Sequence, residues 1–244
     1  RTIFTSMTST LRDMPGITGL RGIAVALVVA YHLGHLRGGF IGVDVFFVLS
    51  GFLITSLLLH RTPDTGAQML RWWARRIRRL TPAVAVVVVV VALAFSTTSG
   101  IALDGFATLA WWQNWRLVLE GTSYWAADAS PLRHAWSLSI EEQFYLAWPP
   151  VVVLISLGAR RLGRGYHRAL GAVAVVGSVA SFAWAAMLAG GERVDLSRLY
   201  YGTDTRAGAL LLGCAFAALT SNRPARPAGR RLTALAVAGA CVLA

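Results

Sequence analysis

Two ionisable residues lie in one apolar stretch near the start of the chain. Arg21 and His32 are separated by ten residues, which is close to three turns of an α-helix, so both side chains project from one face, about 16 Å apart along the axis. An imidazole can act as a general base or a nucleophile, and a guanidinium binds polar or anionic groups. The spacing is typical of a groove for an elongated ligand. The alternative is an arginine that reaches the membrane interface and a histidine that only packs.

The composition places this stretch in a membrane. Of the 244 residues, 56% are hydrophobic and 14% are charged, whereas soluble domains carry about 25% charged residues. The net charge is +12 without any lysine, and the arginines cluster between apolar runs, which favours loops facing anionic lipid over a nucleic-acid surface. Two cysteines are too few for a disulfide-stapled domain. The composition therefore predicts an all-α, polytopic transmembrane helical bundle.

Six apolar runs approach the length of about 20 residues that crosses a bilayer. These runs cover 17–36, 45–60, 80–103, 143–159, 169–191 and 207–222, and a further run from 232 is still apolar at 244. We expect about six complete spans and a truncated last one, in a membrane domain over 17–244 that follows a cytoplasmic segment over 1–16. Because the chain begins with Arg1 and its last run is short, the sequence predicts a fragment of a longer protein.

Arginine clusters predict the orientation of the spans. The clusters lie within 61–79, 160–168 and 223–231, and the positive-inside rule places all three in the cytoplasm together with the N-terminus. Arginine without lysine, beside abundant alanine and glycine, is typical of a GC-rich bacterial genome. The expected location is therefore the inner membrane of a bacterium.

The segment 104–120 is ambiguous as a span. It is rich in tryptophan but contains Arg116, and a crossing here would reverse the orientation of every later span. Tryptophan favours the boundary between lipid and water. We therefore predict an interfacial or re-entrant segment.

Several groups of residues form motifs that occur in a fixed order. They are Arg21 with His32, GVDVFFVLSGFLI at 42–54, RRIRRLTP at 75–82, HAWSLSIEEQFYL at 134–146 and, more weakly, DTRA at 204–207. Together they resemble the motifs of acyltransferase family 3, the integral-membrane O-acyltransferases that include O-antigen acetylases and macrolide acylases. An arginine and a histidine at this spacing are the signature of that family. The similarity covers about residues 17–213, and the order of the motifs argues against a chance match.

The resemblance implies an enzyme that moves an acyl group, usually acetyl, from acyl-CoA entering from the cytoplasm to a hydroxyl, commonly on a sugar, at the outer side. His32 is then the catalytic candidate, either as general base or as nucleophile, and the sequence leaves both roles open. Donor binding is assigned to Arg21 and to a cluster at the cytoplasmic mouth, where a forked guanidinium suits phosphates. That cluster is Arg75, Arg76, Arg78 and Arg79. A plain positive-inside anchor explains most of its members equally well.

The remaining candidates come from the other motifs. Glu141 and Glu142 are predicted to be catalytic, as an orienting partner for His32 or as a binder of acceptor hydroxyls, although a helix N-terminus also favours carboxylates. Acceptor binding or support of the site is assigned to Asp44, His134, Trp136, Ser137, Gln143, Tyr145, Asp204 and Arg206. No histidines and cysteines have the spacing of a metal site. We expect no metal and no permanently bound cofactor, and as partners acyl-CoA, a hydroxylated acceptor and the lipid bilayer.

Two other functions compete with the enzyme. A secondary transporter or proton pathway would also place Arg21 and His32 along its path, but such proteins have inverted repeats or paired broken helices, and the sequence shows neither clearly. A membrane anchor for a further domain would require neither Arg21 inside a span nor the motif at 134–146. The enzyme requires both features.

Overall fold

The apolar runs form α-helices because a backbone in hydrocarbon has to satisfy its own hydrogen bonds. The computed structural model describes residues 15–63, 65–122, 124, 130–161, 163, 165–191 and 194–221, and within them it has no β-strand. The helices are α1 (Pro15–His32), α2 (Ile41–His60), α3 (Gly66–Ala94), α4 (Ile101–Leu109), α5 (Gln113–Leu119), a 3-10 turn (Pro131–His134), α6 (Ala135–Arg161), α7 (Tyr166–Ala189), α8 (Leu196–Tyr201) and α9 (Thr203–Thr220). The predicted all-α fold is confirmed.

Three of these helices, α2, α3 and α7, are long and apolar enough to cross a membrane. Helix α1 has a shorter apolar stretch over 16–32, and α6 and α9 coincide with the fourth and sixth predicted runs. The count of about six spans stays a prediction. The last apolar run and the arginines of 223–231 lie outside the described residues, as does nearly all of the segment 1–16.

Helix α3 begins much earlier than the sequence predicts. The expected span covers 80–103 after an arginine-rich loop, but the helix starts at Gly66, where the Thr65 hydroxyl accepts a hydrogen bond from the Gln68 amide at 3.3 Å. Alanine, leucine, methionine, glutamine and arginine dominate the first turns and are strong helix formers. The arginines therefore lie on a helix rather than in a loop. The helix ends at Ala94, before a serine- and threonine-rich turn.

The tryptophan-rich segment forms two short helices. Helix α4 has 9 residues and α5 has 7, and neither reaches the roughly 17 residues of a span. Between them Trp111 has a φ of 56°, a region that bulky residues seldom adopt, and its carbonyl accepts a hydrogen bond from Gln143 Nε2 at 2.7 Å. This geometry supports the interfacial or re-entrant interpretation, and α6 holds the turn in place.

Helix α9 packs between α2 and α7, with which it makes its most extensive contacts. Glycines allow the backbones of α2 and α9 to meet. A Cβ atom added to Gly51 would lie 1.8 Å from the Leu210 carbonyl oxygen, and one added to Gly213 would lie 1.9 Å from the Val48 carbonyl oxygen. The thiol of Cys214 donates to the Gly51 carbonyl at 3.4 Å. This contact brings the first turns of α2 and α9 to the same end of the bundle.

Helix α6 contains two adjacent prolines, Pro149 and Pro150, in its interior. Because proline has no N–H, Pro149 leaves the carbonyl of Tyr145 without its usual helical donor. The indole N–H of Trp73 in α3 donates to that carbonyl at 3.2 Å. A hydrogen bond between helices thus takes the place of one within a helix and ties α3 to α6.

Candidate active site

His32 is the last residue of α1, and its side chain is exposed. Its Nδ1 atom lies 2.8 Å from the carbonyl oxygen of Val28, one turn earlier. A carbonyl oxygen only accepts, so Nδ1 carries the hydrogen, and in the neutral ring the lone pair lies on Nε2. Nε2 is therefore the atom that can accept a proton or attack a carbonyl carbon.

Two residues that precede α6 lie beside this ring. The Tyr124 hydroxyl is 3.5 Å from His32 Nε2, and the His134 ring stands at 75° to the His32 ring with a centroid distance of 4.9 Å. Desolvation and the neighbouring His32 and Arg133 lower the pKa of His134, which keeps its imidazole neutral near pH 7. His134, predicted as a supporting residue, is thus a neutral hydrogen-bonding group next to the catalytic candidate.

Aromatic rings form a wall beside His32. The ring centroids of Tyr124 and Tyr200 are 4.3 Å apart, and Trp136 lies 4.8 Å from Tyr200 and 5.4 Å from Tyr201. Trp136 and Tyr201 are buried. Contacts at these distances favour particular ring orientations. Trp136, a predicted supporting residue, therefore helps to hold the tyrosines in position.

Arg21 lies on α1, about three turns from His32 along that helix, and Glu141 lies on α6. The guanidinium carbon of Arg21 is 6.0 Å from the centroid of the Phe46 ring. The Glu141 carboxyl hydrogen bonds with Ser50 and interacts electrostatically with Arg21 and with Arg76. Arg21 itself is exposed, and its interaction with Glu141 is the weakest of those that act on that carboxyl.

Glu142 is paired with Arg76 of α3. Arg76 Nε lies 2.9 Å from each carboxylate oxygen, and its Nη2 lies 2.6 Å from Oε1. The guanidinium carbon also lies 3.4 Å from the centroid of the Tyr145 ring. Tyr145, a predicted supporting residue, therefore packs against the arginine. Trp73 and Arg76 on α3 meet Tyr145 and Glu142 on α6 in reverse order, so the two helices run antiparallel.

The two glutamates do not orient His32. No contact between either carboxylate and the His32 ring occurs in the described part of the chain, and His134 occupies that place instead. Their catalytic role stays a prediction. The sequence could not decide this point, because the motif places the residues on one helix without specifying which of them faces α1.

Removal of the Glu142 carboxylate is expected to destabilise the protein. Glu142→Ala leaves Arg76 without its partner and should lower the free energy of unfolding by about 3 kcal/mol. This figure is the low end of the range for a buried pair, since 27% of the arginine side chain is exposed. The double variant Glu142→Ala/Arg76→Ala should recover part of the loss, since it leaves no unpaired charge. Thermal unfolding of the full-length protein in detergent measures both variants.

The matched control is Arg75→Ala, which removes an exposed arginine from the same helix. Its expected effect is below about 0.5 kcal/mol. Equal losses for Glu142→Ala and Arg75→Ala would contradict a stabilising ion pair.

The other arginines of the cluster are exposed on α3. Arg78 Nε donates to the Ala74 carbonyl at 3.2 Å, and Arg75 and Arg79 have no ion pair among the residues that the structure describes. Arg76 is held by Glu142, so these three are the arginines available to an anionic ligand. Donor binding by this cluster stays a prediction.

The weak motif at 204–207 supplies two ion pairs. Arg206 Nη1 donates to Asp44 Oδ1 at 3.0 Å, and its Nε donates to the Tyr200 carbonyl at 2.9 Å. Asp204 accepts hydrogen bonds of 2.8 and 2.5 Å from Arg198. Arg206 therefore connects the start of α2 to the aromatic wall. The ion pair of Asp204 with Arg198 stabilises the turn between α8 and α9.

Gln143 joins α6 to two other elements through partly buried hydrogen bonds. Its Nε2 donates to Asn114 Oδ1 at 2.9 Å, and its Oε1 accepts from the Thr203 hydroxyl at 2.5 Å. Asn114 Nδ2 donates in turn to the Tyr201 carbonyl at 2.9 Å. Gln143 therefore links α6 to α5 and α9, and its role in supporting the site stays a prediction. Ser137 is half-buried and makes no hydrogen bond with the described residues.

Several residues of this arrangement were not predicted from the sequence, among them Tyr200 and Tyr201 of the aromatic wall, Tyr124, Asn114 and Arg198. Tyr124 lies in a loop outside the motifs, and Asn114 and Arg198 lie in segments without a recognisable signature. The only signal in the sequence was compositional: an amide within a tryptophan-rich segment, and an arginine six residues before Asp204. Neither pattern identifies a partner without the fold.

The chain belongs to an acyltransferase family. A family model described as an acyltransferase domain matches residues 14–244, which confirms the family indicated by the motifs. No solved structure matches the chain.

Curated relatives match most of this chain. It is 40% identical over 215 residues to the peptidoglycan O-acetyltransferase OatA of Listeria monocytogenes, covering 84% of this chain and 33% of the relative. It is 39% identical over 239 residues to a Bacillus subtilis protein with the name "Putative peptidoglycan O-acetyltransferase YrhL", covering 87% of this chain and 35% of the relative. The chain thus spans about a third of the length of these relatives.

Proposed function

We propose that this domain is the membrane part of an O-acetyltransferase that moves an acetyl group from acetyl-CoA to a hydroxyl of a cell-envelope carbohydrate. Membership of the family and the names of the relatives support transfer to a hydroxyl. The observation that carries the proposal is His32, whose Nδ1 is fixed by Val28 while Nε2 faces the Tyr124 hydroxyl. A bacterial inner membrane with the N-terminus in the cytoplasm is part of the same proposal.

The chemistry centres on Nε2 of His32. The carbon–sulfur bond of the thioester breaks and a carbon–oxygen ester bond forms. As a base, Nε2 takes the proton of the acceptor hydroxyl and returns it to the departing thiolate. As a nucleophile, it forms an acyl-imidazole that the hydroxyl then attacks. In both routes the neutral His134, whose ring packs edge-on against the His32 ring, serves as a hydrogen-bonding group for the acceptor.

Charged residues along α1 and α3 support entry of the donor from the arginine-rich end. The exposed Arg75, Arg78 and Arg79 suit the phosphates of CoA. Arg21 stands about three turns before His32 on α1, and His32 lies at the C-terminal end of that helix. An acyl-CoA molecule is elongated, with charged phosphates at one end and the reacting thioester carbonyl at the other.

Acetyl-CoA is expected to stabilise the full-length protein in detergent. A ligand that binds only the native state contributes about 2.7 kcal/mol at 100 times its dissociation constant, so the melting temperature should rise with dose. The rise should weaken in Arg21→Ala, because that residue is assigned to the donor. Thermal unfolding with increasing acetyl-CoA measures both effects.

The matched control is Arg37→Ala, an exposed arginine of the turn between α1 and α2, which should leave the shift unchanged. If neither millimolar acetyl-CoA nor longer acyl-CoA esters raise the melting temperature, the assignment of acyl-CoA as the donor is overturned. An equal loss in both variants would indicate a general effect of positive charge and would overturn the role of Arg21.

A further inference from the structure

A cavity of about 340 Å³ lies at the end of the bundle where α2 and α7 both pack on α9. Its walls come from the last turns of α7, with Phe182 and Ala186, from Leu199 of α8, and from Asp44 and Arg206. The proposed transfer reaction uses none of these residues as a reacting group. Tyr200 and Tyr124 lie between Arg206 and His32.

Two opposite charges face each other in this cavity. Asp44 Oδ1 accepts a hydrogen bond from Arg206 Nη1, whereas Asp44 Oδ2 and Arg206 Nη2 have no hydrogen bond to any residue that the structure describes. One acceptor and one donor are thus left for a ligand. Because the two charges compensate each other, the pair has no net charge with which to attract an anion or a cation. An uncharged ligand with hydroxyl groups, which both donate and accept, satisfies both atoms.

The rest of the cavity fits the apolar faces of a ring. Phe182 and the alanines of α7 present hydrocarbon surface, and ligand sites combine such surface with a few polar groups that fix orientation. The volume is at the lower limit of about 300–1,000 Å³ for small-molecule pockets. It suits a single sugar ring, and it is too small for a coenzyme A molecule.

The cavity is continuous with the aromatic wall of the active site. The guanidinium carbon of Arg206 lies 4.4 Å from the centroid of the Tyr200 ring, the Tyr200 and Tyr124 centroids are 4.3 Å apart, and the Tyr124 hydroxyl is 3.5 Å from His32 Nε2. A ring in the cavity therefore lies near the reacting centre but is separated from it by two side chains. Its own hydroxyls do not reach Nε2.

We propose that this cavity binds one uncharged sugar ring of an oligosaccharide acceptor, a ring other than the one that is acylated. The inference rests on the proposed function for the identity of the acceptor. The cavity is then a specificity subsite. It favours an acceptor of several rings over a monosaccharide, and it offers no net charge that would attract a charged ring.

The test is binding without an acyl donor, followed by transfer. The probes are N-acetylglucosamine and its β-1,4-linked tetramer, and the protein is the full-length chain in detergent. Ala186→Leu fills the cavity, with Ala189→Leu as a second filling variant if the first fails to fold. Ala183→Leu, at an exposed position of the same helix that does not line the cavity, is the matched control.

The tetramer is expected to raise the melting temperature of the wild type and of Ala183→Leu with dose, and to leave Ala186→Leu unchanged. In transfer, Ala186→Leu should raise KM for the tetramer by about tenfold with kcat retained, and it should leave the monosaccharide unaffected. No shift in the wild type, or an equal shift in all three proteins, would overturn the subsite.

The two proposals fail in different ways. If the tetramer stabilises the wild type but not the filled variant, while no saccharide is acetylated, the subsite stands and the transfer function falls. If saccharides are acetylated and the filled variant behaves as wild type in both measurements, the transfer function stands and the subsite falls.

Discussion

His32→Ala is expected to lower the rate of acetyl transfer by about 10²–10⁴-fold, the usual contribution of a general acid or base. The reason is geometric: Val28 fixes Nδ1 as the donor, and Nε2 is the only basic atom of the ring. The measurement is the initial rate of label transfer from radioactive acetyl-CoA to envelope carbohydrate, with the full-length protein in proteoliposomes. Binding of acetyl-CoA should persist, because donor binding is assigned to arginines.

His35→Ala is the matched control for this variant. His35 is exposed in the turn after α1 and makes no ring contact within the described residues, so its removal should leave the rate near that of the wild type. A rate for His32→Ala close to the wild type would contradict the proposed catalytic role. Chemical trapping of the wild type with acetyl-CoA but no acceptor separates the two mechanisms, because only a nucleophilic His32 accumulates an acyl-imidazole.

Gly213→Ala is expected to lower the free energy of unfolding by about 1–3 kcal/mol or more. A Cβ at this position would lie 1.9 Å from the Val48 carbonyl oxygen and 2.8 Å from the Phe52 amide nitrogen. Both are backbone atoms, which cannot rotate away as a side chain would, so α2 and α9 have to separate. The midpoint of thermal unfolding in detergent measures the loss.

Gly158→Ala serves as the control for the substitution itself. Gly158 lies in α6, and no heavy atom of a neighbouring element is within 4 Å of its added Cβ. Alanine is favoured over glycine in a helix by about 0.5–1 kcal/mol, so this variant should be neutral or more stable. A comparable loss in both variants would mean that the α2–α9 contact tolerates a larger separation than the structure has.

The sequence predicted the features that depend on local pattern. Long apolar runs identified the helices, because the hydrogen bonds of a helix are made within the run itself. The spacing of Arg21 and His32 and the order of the motifs identified the family. The motif that begins at His134 also placed a second histidine among the candidates, and this residue does lie beside His32.

The sequence did not predict the features that depend on partners far along the chain. Glu142 and Arg76 appeared to be separate candidates, one for catalysis and one for the donor, yet they bind each other across α3 and α6. Tyr124 carries no motif and becomes part of the site only because the loop before α6 returns to α1. The start of α3 was also missed. Low hydropathy in the arginine cluster is typical of a loop, but arginine is also a good helix former.

The pair of prolines in α6 has a consequence for how this sequence can change. Trp73 docks on the carbonyl that Pro149 leaves open, and one turn further along α3 Arg76 reaches Glu142. A residue with an amide at 149 would add a helical donor to that carbonyl and would compete with the indole for it. Positions 73 and 149, far apart in the chain, therefore act on the same alignment of two helices, and the effects of substitutions at the two positions are expected to be non-additive.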